Sequence, residues 1–308
     1  MSDQPALKRP SEPSDMASGS TPTKRLRSDA SPAAAAASLL EAFGLFRDEI
    51  DDYNDRRERL IKTSRDVTSL SKKVIFLLHR FDVRDFASTP SLATQKLLEE
   101  AESKLNHIVG VLEQAAKAEE LALPERHDRH ERNIGGGLEE FIEALSFYHY
   151  LETTNLITLE QIQERFGDVL KVPIHRYLLG LSDLTGELMR FATNAVGQGD
   201  TGKVVQHVLG ITRCLHDTLD PFIPLVNDLR KKQAVTKQSL QKIEHSTSLP
   251  IPLRINPRKD FPRLIRIVET VLYAITVRKA EFAADPKALQ EMLRRSLDSS
   301  APPPTDQL

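Results

Sequence analysis

Four carboxylates fall at spacings that could do chemistry. Glu140 and Glu143 stand three residues apart in GGGLEEFIEALSFYHY, and Asp183 and Glu187 four apart in LLGLSDLTGELMRFATNAVGQGD. On helices, residues so spaced share a face. If the two segments lay side by side, the four groups could not all stay ionised unless a cation compensated or some protonated. An all-oxygen set suits Mg²⁺, with Mn²⁺ as its replacement, because both are hard ions that keep waters for phosphate groups. Such a site can activate water and stabilise the leaving oxygen in phosphodiester hydrolysis. The plainer reading is solvated charge, with Asp183, Glu187, Arg190 and Asn194 as one exposed polar line.

The elements that must position these groups read as helices. Leu138, Phe141, Ile142, Leu145 and Tyr148 recur at three- and four-residue intervals and form one apolar stripe. Phe147 and Tyr150 share the other side with Glu140 and Glu143, so that side is either a protein interface or a site that holds the carboxylates. In the second segment Leu181, Leu184, Leu188 and Phe191 form the buried face. Gly180 and Gly186 flank its polar line, where they permit close approach by another backbone or a ligand.

The rest of the chain supports an all-α reading of about seven helices in a bundle. No run of strand-type alternation appears, and Gly and Pro separate long periodic segments. Helices are expected from about Ser38 to Phe81, Ser91 to Leu121, beyond Gly137 to Thr153, and Pro173 to Ala195. A short helix in LITLEQIQERF has Thr158 and Gln161 placed as a capping box. Another runs from a cap at Asp200 or Thr201 to Asp220, followed by LVNDLRKKQAVTKQSLQKIE and RLIRIVETVLYAITVRKAEF. The organisation is therefore a disordered tail over 1–37, a helical domain over 38–285 and a second disordered tail over 286–308. In the first tail, Lys8–Arg9 precede Lys24, Arg25 and Arg27, a bipartite nuclear import pattern.

Composition narrows the function classes. The 308 residues carry a formal charge of −2, which excludes a globally basic nucleic-acid binder but not a local basic patch. One cysteine, Cys214, excludes an internal disulfide framework and reads as a small buried residue. No apolar run reaches membrane-spanning length. GQGDTGKV imitates a phosphate-binding loop but has Val204 where Ser or Thr should hold Mg²⁺, and it follows a helix rather than a strand. His127 and His130 have no third zinc ligand nearby and read as a solvated helix start, while His149 reads as a packed core residue. Arg56, Arg57, Arg59, Lys62, Arg65, Lys72, Lys73 and Arg80 make a basic ribbon on the first long helix. The ribbon could track a phosphate backbone, although Asp55, Glu58 and Asp66 make a plain solvated face nearly as reasonable.

Three long stretches, RRERLIKTSRDVTSLSKKVIFLLHR, GGGLEEFIEALSFYHYLETTNLITLEQI and YLLGLSDLTGELMRFATNAVGQGD, resemble the translin family. The resemblance spans most of residues 45–245 and resumes at VLYAITVRKAEF. It implies an all-α fold and assembly with translin subunits into a hollow hetero-octamer in the nucleus and cytoplasm. It also implies a Mg²⁺-dependent endoribonuclease that cleaves single-stranded RNA, with single-stranded DNA as a further ligand. By motif, Glu140, Glu143 and Asp183 match the family's catalytic carboxylates, and Glu187 its further acidic position. The alternative is a non-catalytic scaffold subunit that binds translin and single strands. Residues 245–269 depart from the pattern: Pro250, Pro252, Pro257 and Pro262 interrupt a helix the family runs continuously. This segment is expected to be a retained intron or a surface loop.

Overall fold

The computed structural model describes residues 32–198 and 202–246. Seven α-helices and two short 3₁₀ turns make up these residues, with no strand among them. The helices are α1 (Pro32–Leu78), α2 (Leu92–Ala118), α3 (Pro124–Thr153), α4 (Leu159–Phe166), α5 (Ile174–Gly197), α6 (Lys203–Leu219) and α7 (Leu229–Ser246). Residues 1–31 of the first tail with the import pattern, the second tail, the 245–269 insertion beyond Ser246 and the RLIRIVETVLYAITVRKAEF helix lie outside the described residues, while residues 32–37, expected as disordered tail, form the start of α1. Among the described residues, no helix is long and apolar enough to cross a membrane.

The chain divides into two compact units at Asp52–Tyr53. In the first, α1 begins at Pro32, ahead of the expected Ser38. It leaves Leu39, Leu40, Phe43, Phe46 and Ile50 exposed. The second unit holds the core, in which α3 is central. From Phe141 to Leu151 every residue of α3 except the half-buried His149 is buried.

Local chemistry explains most boundaries. The Ser91 hydroxyl accepts from the Thr94 N–H and starts α2. Thr158 and Gln161 cap α4 reciprocally, as their spacing predicts. Pro173 precedes α5, and α6 stops where Asp220–Pro221 opens a 3₁₀ turn. Gly202, with φ of 104°, stands at the N-cap of α6, while Asp200 and Thr201 lie outside the described residues.

Helix α3 departs from its expected start. It begins at Pro124 and runs through Gly135–Gly137 instead of starting beyond them. The glycines do not break it, because they let neighbours in. The Gly137 N–H donates to Ser64 Oγ on α1 at 2.8 Å, and a Cβ there would come within 2.7 Å of the Ser64 carbonyl oxygen. The Arg176 side chain lies over Gly135 where a Cβ would stand. The early start also overturns the solvated reading of His127 and His130, both of which are buried. His127 Nε2 hydrogen-bonds the Lys171 carbonyl at 3.1 Å, and the His130 ring stacks on Tyr53 at 5.1 Å. Cys214 is buried and in no disulfide, as expected.

Candidate metal and catalytic site

The two carboxylate-bearing helices pack directly on one another. A Cβ on Gly180 of α5 would come within 2.7 Å of Ile142 Cγ2 on α3, so the missing side chain sets the approach. Gly186 has nothing within 4 Å of its Cβ position and plays no such part. Leu181, Leu184, Leu188 and Phe191 are buried, which turns Asp183 and Glu187 toward α3 and its borders.

The aromatic side of α3 is covered from within. The Phe147 ring centroid lies 5.0 Å from His79 and 6.2 Å from Phe191. The Tyr150 hydroxyl hydrogen-bonds His207 Nδ1 at 2.8 Å, and its ring lies 5.8 Å from that of Phe86. Of the two readings of this face, an interface or a site, Phe147 and Tyr150 are therefore core residues that border the carboxylates.

Glu143 is the buried member of the set, with 9 % of its surface exposed. Burial pushes its carboxyl up to about 8, and the charges of Asp183, Glu140 and Glu187 push the same way. Those three influences place the other sequence-selected carboxylates within electrostatic reach of Glu143. Burial also raises Asp183, opposed by a hydrogen bond from Lys232 and reinforced by Glu139 and Glu140.

Three of the four carboxylates already have cationic partners. Lys72 Nζ of α1 is 3.2 Å from Glu140 Oε1. Lys232 Nζ of α7 donates to Asp183 Oδ2 and stands 3.4 Å from Glu139 Oε2. His79 Nε2, just past α1, hydrogen-bonds Glu187 Oε2, and Arg190 Nη1 is 3.9 Å from the same oxygen. Arg176 bridges Glu131 and Glu139 beside this group. Lys232, His79, Glu139 and Arg176 escape sequence reading because their partners are 37 to 108 residues away. The KK pair in NDLRKKQ was the only local sign.

Donor chemistry fits a hard divalent cation. The set is all oxygen and partly buried, and the Glu143 carboxyl is raised by burial and by its three carboxylate neighbours, with Lys232 opposing them. The side chains are not closed round a point: among the described residues, no three His, Cys, Asp or Glu groups converge as a ready metal cage. Binding would therefore exchange the Lys72, Lys232 and His79 partnerships for the ion. Glu140, Glu143, Asp183 and Glu187 could supply its oxygens.

A basic face leads up to this group. Arg65, Thr68, Ser69, Lys72, Lys73 and Phe76 line a shallow groove along α1, and Phe76 is 67 % exposed. Arg56 and Arg59 are less available to this ribbon, since both engage Glu119.

Known proteins resemble the chain along most of its length. The translin-associated protein X of Rattus norvegicus is 34 % identical over 248 residues, covering 71 % of this chain and 81 % of that protein. The Schizosaccharomyces pombe translin-associated protein X homolog is 28 % identical, covering 66 % and 84 %. The crystal structure of AfC3PO shares the fold, with a TM-score of 0.52 at 24 % identity over 66 % of this chain and 94 % of that one. The Translin family model matches residues 55–247, which contain all four carboxylates and their cationic partners, and the chain belongs to the translin family.

Proposed function

We propose that this chain is the catalytic subunit of a translin-type complex, a Mg²⁺-dependent endoribonuclease acting on single-stranded RNA. The observation that carries this reading is the burial of Glu143 beside Asp183, Glu140 and Glu187; burial first, and then their charges, raise its carboxyl to about 8. Such a cluster is costly unless it has work to do with a cation or a proton. Glu140, Glu143 and Asp183 would hold Mg²⁺ or Mn²⁺, with Glu187 as a further oxygen ligand. Bound there, the ion would supply Lewis-acid charge to a phosphodiester and its leaving oxygen.

The chain's own residues would do the rest. Lys72, Lys73 and Arg65 on α1 would hold the backbone phosphates, and exposed Phe76 offers a base a stacking surface. These contacts read backbone and ring faces rather than base edges, so they suit single-stranded RNA of mixed sequence, and single-stranded DNA also. Without the ion, Glu143, buried at the centre, can hold a proton at its carboxylate near neutral pH, and that proton would leave as the ion binds. Similarity to translin-associated protein X supports assembly with translin subunits, as a hetero-octamer. The Lys8–Arg9 and Lys24–Arg27 clusters support residence in the nucleus as well as the cytoplasm.

A second reading is a scaffold subunit that binds translin and single strands without cutting them. The protein's own cations on Glu140, Asp183 and Glu187 (Lys72, Lys232 and Arg190) favour it. The deciding experiment is cleavage of a labelled single-stranded RNA by the chain co-expressed with a translin subunit, in Mg²⁺ and in EDTA. The nuclease reading expects cleavage that needs Mg²⁺ and is lost in Glu143→Gln. Assembly and RNA binding with no Mg²⁺-dependent cleavage would establish the scaffold.

A further inference from the structure

We propose that the Lys232 ammonium holds the place of the divalent cation at Asp183 when the site is free of metal, and that it limits metal affinity because it must withdraw, toward Glu139, before the ion can bind. This rests on the reading of the carboxylates as metal ligands.

The geometry is specific. Lys232 is one turn into α7 and its side chain is 22 % exposed. Its Nζ donates to Asp183 Oδ2, one of the expected metal-binding oxygens. On the other side, 3.4 Å away, is Glu139 Oε2. Glu139 is not among the expected ligands, and Arg176 already anchors its other oxygen. The ammonium therefore stands between a carboxylate that a metal would claim and one that it would not. Neighbouring Lys231 pairs with Asp228 at the surface and takes no part.

A lysine suits this role. Its charge is compact, its stem is long, and a small rotation changes its partner without moving the helix. A divalent ion on Asp183 would repel an ammonium at contact distance, because like charges in a partly buried site interact strongly. Glu139 offers that ammonium a destination within the same network. The arrangement keeps Asp183 and Glu143 partly compensated without metal, and an ion bound at Asp183 must displace the Lys232 charge.

The test uses the full-length chain co-expressed with a translin subunit and Mn²⁺ alone as the probe. Binding would be followed by calorimetry and by the spin resonance of free Mn²⁺. Lys232→Met removes the charge and keeps the stem. It should bind Mn²⁺ about tenfold more tightly than wild type, whereas Lys232→Arg should not. The rise in melting temperature on adding Mn²⁺ should also be larger in Lys232→Met. Glu139→Gln removes the destination and should weaken Mn²⁺ binding several-fold, an effect that should vanish on the Lys232→Met background. Saturable wild-type binding that Lys232→Met leaves unchanged or weaker overturns the proposal alone. So does a Glu139→Gln effect that persists on the Lys232→Met background, and, if Lys232→Met fails to assemble, Mn²⁺ binding by Glu139→Gln alone that equals wild type. No Mn²⁺ binding in either wild type or Lys232→Met would overturn the metal reading and this proposal together.

Discussion

Gly180 on α5 and Ile142 on α3 are so close that one added methyl group would meet Ile142 Cγ2 at 2.7 Å and the Glu139 carbonyl at 3.0 Å. This approach fixes the separation of the helix bearing Glu140 and Glu143 from the helix bearing Asp183 and Glu187. Gly180→Ala is expected to lower stability by about 2 kcal/mol through overpacking. Gly186→Ala, on the same helix but facing open space, should raise stability by up to ~1 kcal/mol. Urea unfolding of the two variants checks the pair, and equal destabilisation would show that α5 does not pack as described.

The pH dependence of the metal-free protein should carry the mark of Glu143. Its carboxyl is raised from the ordinary 4.5 to about 8, so the folded state holds this proton more tightly than the unfolded state. That contribution is fully present below about 4.5 and is lost as pH rises through about 8. Glu143→Gln removes the titration. Its melting temperature relative to wild type should rise by several degrees between pH 5 and pH 8.5, with EDTA present. A constant difference across that range would mean that Glu143 is ordinary.

Glu119 should behave in the opposite sense. Its side chain, 4 % exposed, receives Arg59 Nε at 2.6 Å and Arg56 Nη1 at 3.3 Å. The Arg59 hydrogen bond is the main cause of its lowered carboxyl. Stability from a lowered carboxyl is present above its unfolded value and is lost as pH falls through the folded one. Glu119→Ala is expected to cost about 1 kcal/mol at pH 7, since of the two arginines it leaves Arg59 is largely exposed to water. The cost should shrink below pH 4, as followed by chemical denaturation across pH.

The basic face of α1 gives a salt-dependence prediction. If Lys73 contacts one RNA phosphate, Lys73→Ala should reduce the slope of log affinity against log salt by about 0.7. Lys72→Ala should do the same, less whatever Glu140 gains on release from the 3.2 Å pair. Phe76→Ser should weaken binding with little change in slope, because stacking is not ionic. Fluorescence anisotropy on a labelled single strand at several salt concentrations separates these effects.

Much of this was legible in the chain, for identifiable reasons. Periodicity marked the buried faces of α3 and α5 because each packs a continuous apolar stripe, and the Thr158–Gln161 box is purely local. The early turns of α3 were missed because three consecutive glycines read as a break. Their packing reason lies in Ser64 and Arg176, far away in sequence. His127 and His130 were misread for the same cause, since their cover comes from Lys171 and Tyr53. The carboxylates could be selected from spacing, but their counter-charges could not. A hydrogen bond such as His79–Glu187 leaves no periodic trace.

The burial of α3 on every side from Phe141 to Leu151, His149 alone half-buried, gives Glu143 an unusual permanence. Backbone amides from Phe141 to Leu151 have no route to solvent except through loss of the whole core, so they belong to the slowest-exchanging part of the molecule. Peripheral helices can fray and re-form around a Glu143 that has not moved. Any tuning of the site over evolutionary time would then fall to the residues that lean on α3 from α1, α5 and α7, while α3 itself serves as a fixed keel.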